Sequence, residues 1–428
     1  MLFRFAIYGF TIDLNNNASV SFIENTAGIG GAISGRTIEL SGNGSVEFSG
    51  NSASLDSGIA RGGAIWGDYD STIALSNNGS VVFEGNTASS LDYTYGGAIS
   101  GYTITLSNNG SVTFCGNTVS GPSYAYGGAI YTSGSLHIRN NDSVEFAGNV
   151  EKRGGAYRLR SVYVEGGSGD VLSISAAAGK SVVFYDSIYV GENATVNLNA
   201  DYEDAEGNII EQKGDIVFTG ATTVADLYKA KGNVDGTEEE IRLSRTSEVL
   251  STANLYNGRL IIKEGAIWSG AGITVGPVAG ATGKPTLLLQ NGTLTHDASS
   301  VTNRNVVTIK SGGAFEVAGK SQADYTSLNM ESGSILTFNI APENATTAAL
   351  TLDSNSSLTQ EGTLTLKLKG DNRLVKGQSY KLLTGLAQPD TWDETSVTVE
   401  SGSLGWDVDY TDLTWEGDTL WIDRKSVV

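Results

Sequence analysis

Internal repetition constrains this chain more than any other feature. Five segments set an Asn three residues after a Phe: Phe22/Asn25, Phe48/Asn51, Phe83/Asn86, Phe114/Asn117 and Phe146/Asn149. A Gly-Gly-Ala follows each, extended by Ile in the first four copies: Gly30–Ile33, Gly62–Ile65, Gly96–Ile99 and Gly127–Ile130. The fifth copy reads Gly154, Gly155, Ala156, Tyr157. Between copies runs an alternating segment and a turn, such as Thr103-Ile104-Thr105-Leu106 followed by Ser107-Asn108-Asn109-Gly110.

One copy already dictates its local structure. In Thr37-Ile38-Glu39-Leu40 the apolar side chains lie two apart and share one strand face, while Glu39 takes the other. Val46 and Phe48 repeat the arrangement, and the turn between the two segments carries Asn43-Gly44, able to adopt positive φ. Gly-Gly-Ala-Ile adds a third short segment with small residues where the backbone must bend. Three short strands per coil predict an all-β chain, a right-handed parallel β-helix whose coils stack ~4.8 Å apart. The recurring Asn residues are then expected to form an internal hydrogen-bonded ladder, and the Phe residues to stack in the core.

Copy length varies at one place. Successive Phe residues lie 26, 35, 31 and 32 apart, and the extra residues fall almost wholly between the Asn and the Gly-Gly. That gap is Thr26–Ile29 in the first copy and becomes Ser52–Arg61, Thr87–Tyr95 and Thr118–Tyr126 in the next three. A row of loops along one edge is expected, and per-repeat insertions on one face often mark a binding face. Tyr93 and Tyr95 precede one Gly-Gly, and Tyr124 and Tyr126 precede the next. In register, these four candidate ligand-binding residues form a surface patch. Such a patch suits protein or glycan recognition, because tyrosine offers large contact area at low entropic cost. The plainer alternative is that the rings pack on one another and shield the edge.

Composition removes several function classes. A net charge of −20 over 428 residues, with no basic run, argues against nucleic-acid partners. No apolar stretch is long enough for a membrane-spanning helix. One cysteine, Cys115, allows no internal disulfide. His137 and His296 are the two histidines and neither has a companion at ligand spacing, so no metal and no cofactor are expected. His137 and Cys115 are both expected on the outer face. Asp68, Asp70 and Asp92 are the densest carboxylates of the regular part, and they do not recur as a constellation. Gly166-Gly167-Ser168-Gly169-Asp170 reads as a turn.

Tandem Phe-x-x-Asn with Gly-Gly-Ala-Ile resembles the repeats of the chlamydial polymorphic membrane proteins, over about the first 160 residues. The resemblance implies an autotransporter: a β-helical passenger exported through an outer-membrane barrel and exposed at the cell surface or secreted. It implies an adhesin-like, non-catalytic passenger whose partners are host or cell-surface proteins or glycans. No barrel-like run of strands follows in this chain, so attachment to a membrane would need a barrel or another anchor beyond it. Ala6–Leu14 matches Ala98–Leu106, so the chain is read as starting inside a repeat of a longer protein.

Three regions are expected: the repeat helix at 1–165, a degenerate continuation at 166–390 and capping strands at 391–428. An irregular insertion is placed near 208–248, with Glu238–Glu240 as a solvated charge run. Trp392, Trp406, Trp415 and Trp421 gather near the end, where they suit a cap. Two alternatives stand beside adhesion: a carbohydrate-active β-helix enzyme, which needs carboxylates and a basic residue in one groove, and a purely structural stalk.

Overall fold

A column of phenylalanines runs through the first part of the structure. Phe22, Phe48, Phe83, Phe114, Phe146, Phe184 and Phe218 occupy equivalent positions on parallel strands. Their rings stack at 4.7–5.0 Å, nearly parallel. Phe184, in the region expected to be a degenerate continuation, keeps the register of the column. Phe218 extends the column into the stretch read as irregular, on strand Asp215–Thr219. The structure is a computed structural model describing residues 2–3, 6–203, 207–219, 246–263, 265–277, 283–296, 305–370, 374, 378–400 and 413–422. Most of the insertion placed near 208–248, including Glu238–Glu240, therefore lies outside the described residues, as does Trp406.

Among the described residues the chain is all-β apart from two short 3-10 turns, Pro342–Ala345 and Glu394–Ser396. It divides into two compact units, Met1–Asn197 with Gly214–Ser251, and Leu198–Lys213 with Thr252–Val428. In the first unit, strands Ser19–Ile23, Ser45–Ser49, Ser80–Glu84 and Ser111–Cys115 pair in parallel without a slip. A second series, Ile7–Asp13, Ile33–Ser41, Ile65–Ser76 and Ile99–Ser107, stacks Ile33, Ile65 and Ile99 in line. Parallel stacking of consecutive copies is consistent with a β-helix. In the second unit, Arg259–Lys263, Thr286–Gln290, Ala314–Ala318, Ser334–Ile340 and Leu364–Gly370 continue in the same manner, burying Leu260, Leu287, Phe315, Leu336 and Leu366. Leu413–Glu416 and Thr419–Ile422 form an antiparallel pair. Trp392 is buried, edge-on to Trp415 at 5.8 Å.

The expected asparagine ladder is present and buried. Each amide donates from Nδ2 to the Oδ1 of the next, from Asn25 through Asn51, Asn86 and Asn117 to Asn149, every step 2.9 Å. At Asn86, Oδ1 accepts from both the backbone N–H and Nδ2 of Asn51, while Nδ2 donates to Asn117 and to the Phe48 carbonyl. All four hydrogen-bonding positions of the amide are thus filled. The residue before the ladder Asn explains the spacing. Gly50, Gly85, Gly116 and Gly148 all have positive φ, the left-handed step that turns the next side chain inward. A second ladder, Asn17–Asn43–Asn78–Asn109–Asn141, lies in the turns at 2.9–3.0 Å, and sequence reasoning missed it.

The first ladder reaches a carboxylate. Asp186 Oδ2 accepts from Asn149 N–H and Nδ2 at 2.9 and 2.8 Å, and Oδ1 accepts from Gly148 N–H at 2.9 Å. Burial raises this carboxyl to about 6 against the opposing pull of its three donors.

Two expectations need correction. Gly154-Gly155 is not a fifth corner of the Gly-Gly-Ala-Ile kind. Both residues have positive φ and close an antiparallel hairpin in which Val150 faces Leu159 and Arg153 faces Ala156. The place of the corner is taken by Arg160-Ser161-Val162, whose carbonyls at Arg160 and Ser161 accept from Gly128 and Ala129. In true corners only the first glycine is left-handed. The second is needed for close approach: a Cβ on Gly97 would sit 2.0 Å from the Gly128 carbonyl oxygen. The hairpin also buries an ion pair. Arg160 meets Glu151 at 3.4 Å and Glu248 at 2.8 Å, and Glu151 Oε1 accepts from Gly127 N–H. Burial pushes the Glu151 carboxyl up, and Arg160 is the main opposing influence.

The expected row of loops is also absent: the inserted residues form paired strands.

Two predictions follow from the ladder. Asn86→Ala strips partners from several buried groups, each costing about 1–3 kcal/mol. It should lower the unfolding free energy by at least about 3 kcal/mol in urea titration. Asp186 has a raised folded-state pKa, so the folded protein holds its proton longer than the unfolded chain. Stability from this group is therefore greatest below its unfolded value and is lost as pH rises to about 6. Urea midpoints measured across that window should show Asp186→Asn gaining on the native protein by roughly 3 kcal/mol as pH rises.

Candidate ligand-binding face

The insertions build two parallel ladders. Ser52–Leu55, Thr87–Ser90 and Thr118–Gly121 form one, continued by Val150–Arg153. Ile59–Arg61, Tyr93–Tyr95 and Tyr124–Tyr126 form the other. Ala53, Ala88, Val119 and Ala125 make a buried cluster there, and Ala60 and Thr94 are buried too. Burying the middle residue of each three-residue strand turns its neighbours outward. Ile59, Tyr93 and Tyr124 therefore align, as do Arg61, Tyr95 and Tyr126.

The four predicted tyrosines are thus brought together. Tyr93 stacks on Tyr124 at 4.5 Å and Tyr95 on Tyr126 at 5.9 Å, with Tyr93 and Tyr95 6.5 Å apart. Tyr93 and Tyr124 are 40% and 42% exposed, while Tyr95 and Tyr126 are half-buried.

Sequence reasoning missed a second set of rings beside them. The residue after the Ile of each corner forms an outward register of its own: Tyr8, Ser34, Trp66, Ser100, Tyr131, then Tyr163 and Tyr189. Tyr131 packs on Tyr163 at 5.8 Å and Tyr163 on Tyr189 at 4.4 Å. The two sets touch where Tyr95 meets Tyr131 at 4.5 Å and Tyr126 meets Tyr163 at 4.6 Å, both tilted. The position following Gly-Gly-Ala-Ile was the available signal.

Cations lie over these rings. Arg61 is 5.5 Å from the Tyr95 ring and 5.7 Å from Tyr69, Arg153 is 4.5 Å from Tyr126, and Arg160 is 5.3 Å from Tyr189. The Tyr131 hydroxyl donates to Glu165 Oε2 at 2.8 Å. Burial first, and then that bond, raise the Tyr131 phenol above the ordinary tyrosine range, and burial does the same for Tyr163. Both hydroxyls stay protonated at neutral pH. At one end of the face a cavity of about 280 Å³ is lined by Arg61, Trp66, Asp68, Tyr69, Tyr102 and Glu165, among others.

The other candidates are scattered. Asp68 accepts from the Tyr69 N–H at 2.7 Å, Asp70 faces Arg36 at 3.8 Å, and Asp92 accepts from Gly58 N–H at 2.6 Å. His137 is half-buried between buried Leu136 and Ile138, and burial lowers its imidazole pKa. Cys115 is half-buried. Gly167 donates to Asp170 Oδ2, closing the turn read from the glycines. Among the described residues no group of three or more His, Cys, Asp or Glu could hold a metal ion. No helix among them is long and apolar enough to cross a membrane.

Residues 19–36, 80–102 and 103–133 match the model of the Chlamydia polymorphic membrane protein repeat. The copy built on Phe48 and Asn51 lies outside those spans, although it shares the register of its neighbours. No curated protein and no solved structure matches the chain.

Proposed function

We propose, starting from a chain that carries polymorphic membrane protein repeats, that it is a surface-associated, autotransporter-like passenger that binds a protein or glycan through its tyrosine face. The repeat supports surface association, because the matched family is one of polymorphic membrane proteins. The parallel in-register coils support the right-handed β-helix typical of such a passenger. One observation carries the adhesive reading: the length variation of the repeats folds into ordered strands whose outward positions are tyrosines. A stalk needs spacing and solubility, which loops of any composition would give. Aromatic rings ordered in two adjoining sets, with guanidinium groups over them, supply contact area and polar anchors of the kind found at binding surfaces.

A second reading has an observation in its favour. Asp68, Glu165 and Arg61 line one cavity, the combination a carbohydrate-active enzyme requires. Glu165 is engaged by the Tyr131 hydroxyl and Arg61 lies over two rings, which favours recognition over acid–base chemistry.

Beads coated with the chain should adhere to cultured animal cells, immobilised matrix proteins or bacteria. Replacing Tyr93, Tyr95, Tyr124 and Tyr126 together by alanine should reduce that adhesion about tenfold or more, as loss of clustered aromatic anchors does. Unchanged adhesion with an intact circular dichroism spectrum would remove the binding role and leave the stalk.

A further inference from the structure

The outward register beside the tyrosine strand is interrupted at regular places. Up to Tyr131 it reads Tyr8, Ser34, Trp66, Ser100, Tyr131, so an aromatic residue alternates with serine there, before Tyr163 and Tyr189 follow directly. Trp66 and Tyr131 stand two strand spacings apart, about 9.5 Å. That is twice the 4.7–5.0 Å separation of stacked rings in the phenylalanine column. Ser100 puts no ring between them, and Tyr95, 4.5 Å from Tyr131, borders the gap as a wall of the cavity. Ser100 is 3% exposed and lies at the floor of the 280 Å³ cavity.

We infer that this cavity holds one neutral pyranose ring of a glycan. The inference deepens the binding reading above and rests on it. The size fits: the cavity lies at the lower edge of ligand pockets, about 300 Å³, which admits one ring rather than a long chain. The chemistry of the walls selects the ring. A pyranose offers a C–H face that packs on aromatic rings and a rim of hydroxyls that both donate and accept. Trp66, Tyr102 and Tyr131 supply aromatic surface, and Asp68, Glu165 and Ser133 supply rim partners. A purely apolar ring would leave those polar groups desolvated without partners. An anionic ring would face two carboxylates against one guanidinium, and Arg61 already lies over Tyr69 and Tyr95. Exposed Tyr69 and Tyr102 at the mouth would contact the next residue of the glycan.

The test is saturation-transfer NMR on the purified chain with methyl β-D-glucopyranoside, methyl β-D-galactopyranoside and methyl β-D-glucuronide. At least one neutral glycoside should receive saturation on its ring protons, more strongly than the glucuronide. Ser100→Phe fills the floor and Asp68→Ala removes an exposed rim acceptor. Each should weaken the signal about fivefold, the order expected for one lost stacking or hydrogen-bonding contact. Should Ser100→Phe fail to fold, Asp68→Ala and Tyr102→Ala, both at exposed positions, decide the matter. No transfer to either neutral glycoside, equal transfer in native and variant chains, or stronger transfer to the glucuronide would each overturn the site. Cells play no part in this measurement. A chain that binds a glycoside but does not adhere keeps the sugar site and loses the adhesive role. A chain that adheres but takes up neither neutral glycoside keeps the adhesive role and loses the sugar site.

Discussion

A buried amide that finds its partners only when the next copy is in register governs the repeat region. Asn86 fills all four of its hydrogen-bonding positions, every one of them through side chain or backbone of a neighbouring copy. A slip of one residue would leave the amide unsatisfied in the interior and would turn the Phe side chains outward. The polar ladder and the aromatic column therefore enforce the same register from two directions, one through directional bonds and one through packing. Length differences between copies cannot be absorbed at either. They go mostly to the segment between the Asn and the Gly-Gly, where Ala53, Ala88, Val119 and Ala125 provide a thin core for strands added at the edge, with a smaller share in the bulge that holds Asp68, Tyr69 and Asp70.

Register at the core delivers register at the surface. Ala60, Thr94 and Ala125 point inward, so Tyr93, Tyr95, Tyr124 and Tyr126 must point out and must meet their counterparts one strand away. No contact specific to the tyrosines is needed to place them. What their own chemistry adds is the stacking, the guanidinium groups over their faces and the junction with Tyr131 and Tyr163.

Much of this was legible because period and chemistry coincide. Phe-x-x-Asn repeats at a spacing that strands and turns explain, and both the Phe column and the first ladder stand where that spacing puts them. The second ladder was hidden by its setting. In Asn77-Asn78 and Asn108-Asn109 the first residue takes positive φ and the second turns inward, yet both read as ordinary turn residues. The fifth Gly-Gly was misread because one dipeptide serves two geometries: a corner with one left-handed glycine, or a hairpin with two. Strand order within the insertions was illegible because segments of three residues carry almost no periodicity. Trp66, Tyr131 and Tyr163 escaped notice because their link is spatial: each follows a buried residue at a corner, and Arg160-Ser161-Val162 supplies a corner without glycine.

The ladder also has a direction. From Asn25 to Asn117 one Nδ2–H of each amide donates to the Oδ1 of the following copy, and the Oδ1 of Asn51, Asn86, Asn117 and Asn149 accepts from the preceding one. Aligned amide dipoles add, as they do along a helix. The positive end of the row lies at Asn149, and there a carboxylate, Asp186, receives it. Such a stack is electrically polar. A copy can be duplicated or deleted within it, because each new amide joins the row head to tail. A copy set in reverse would place acceptor against acceptor. Growth and loss of repeats are therefore open to this architecture, and inversion is closed.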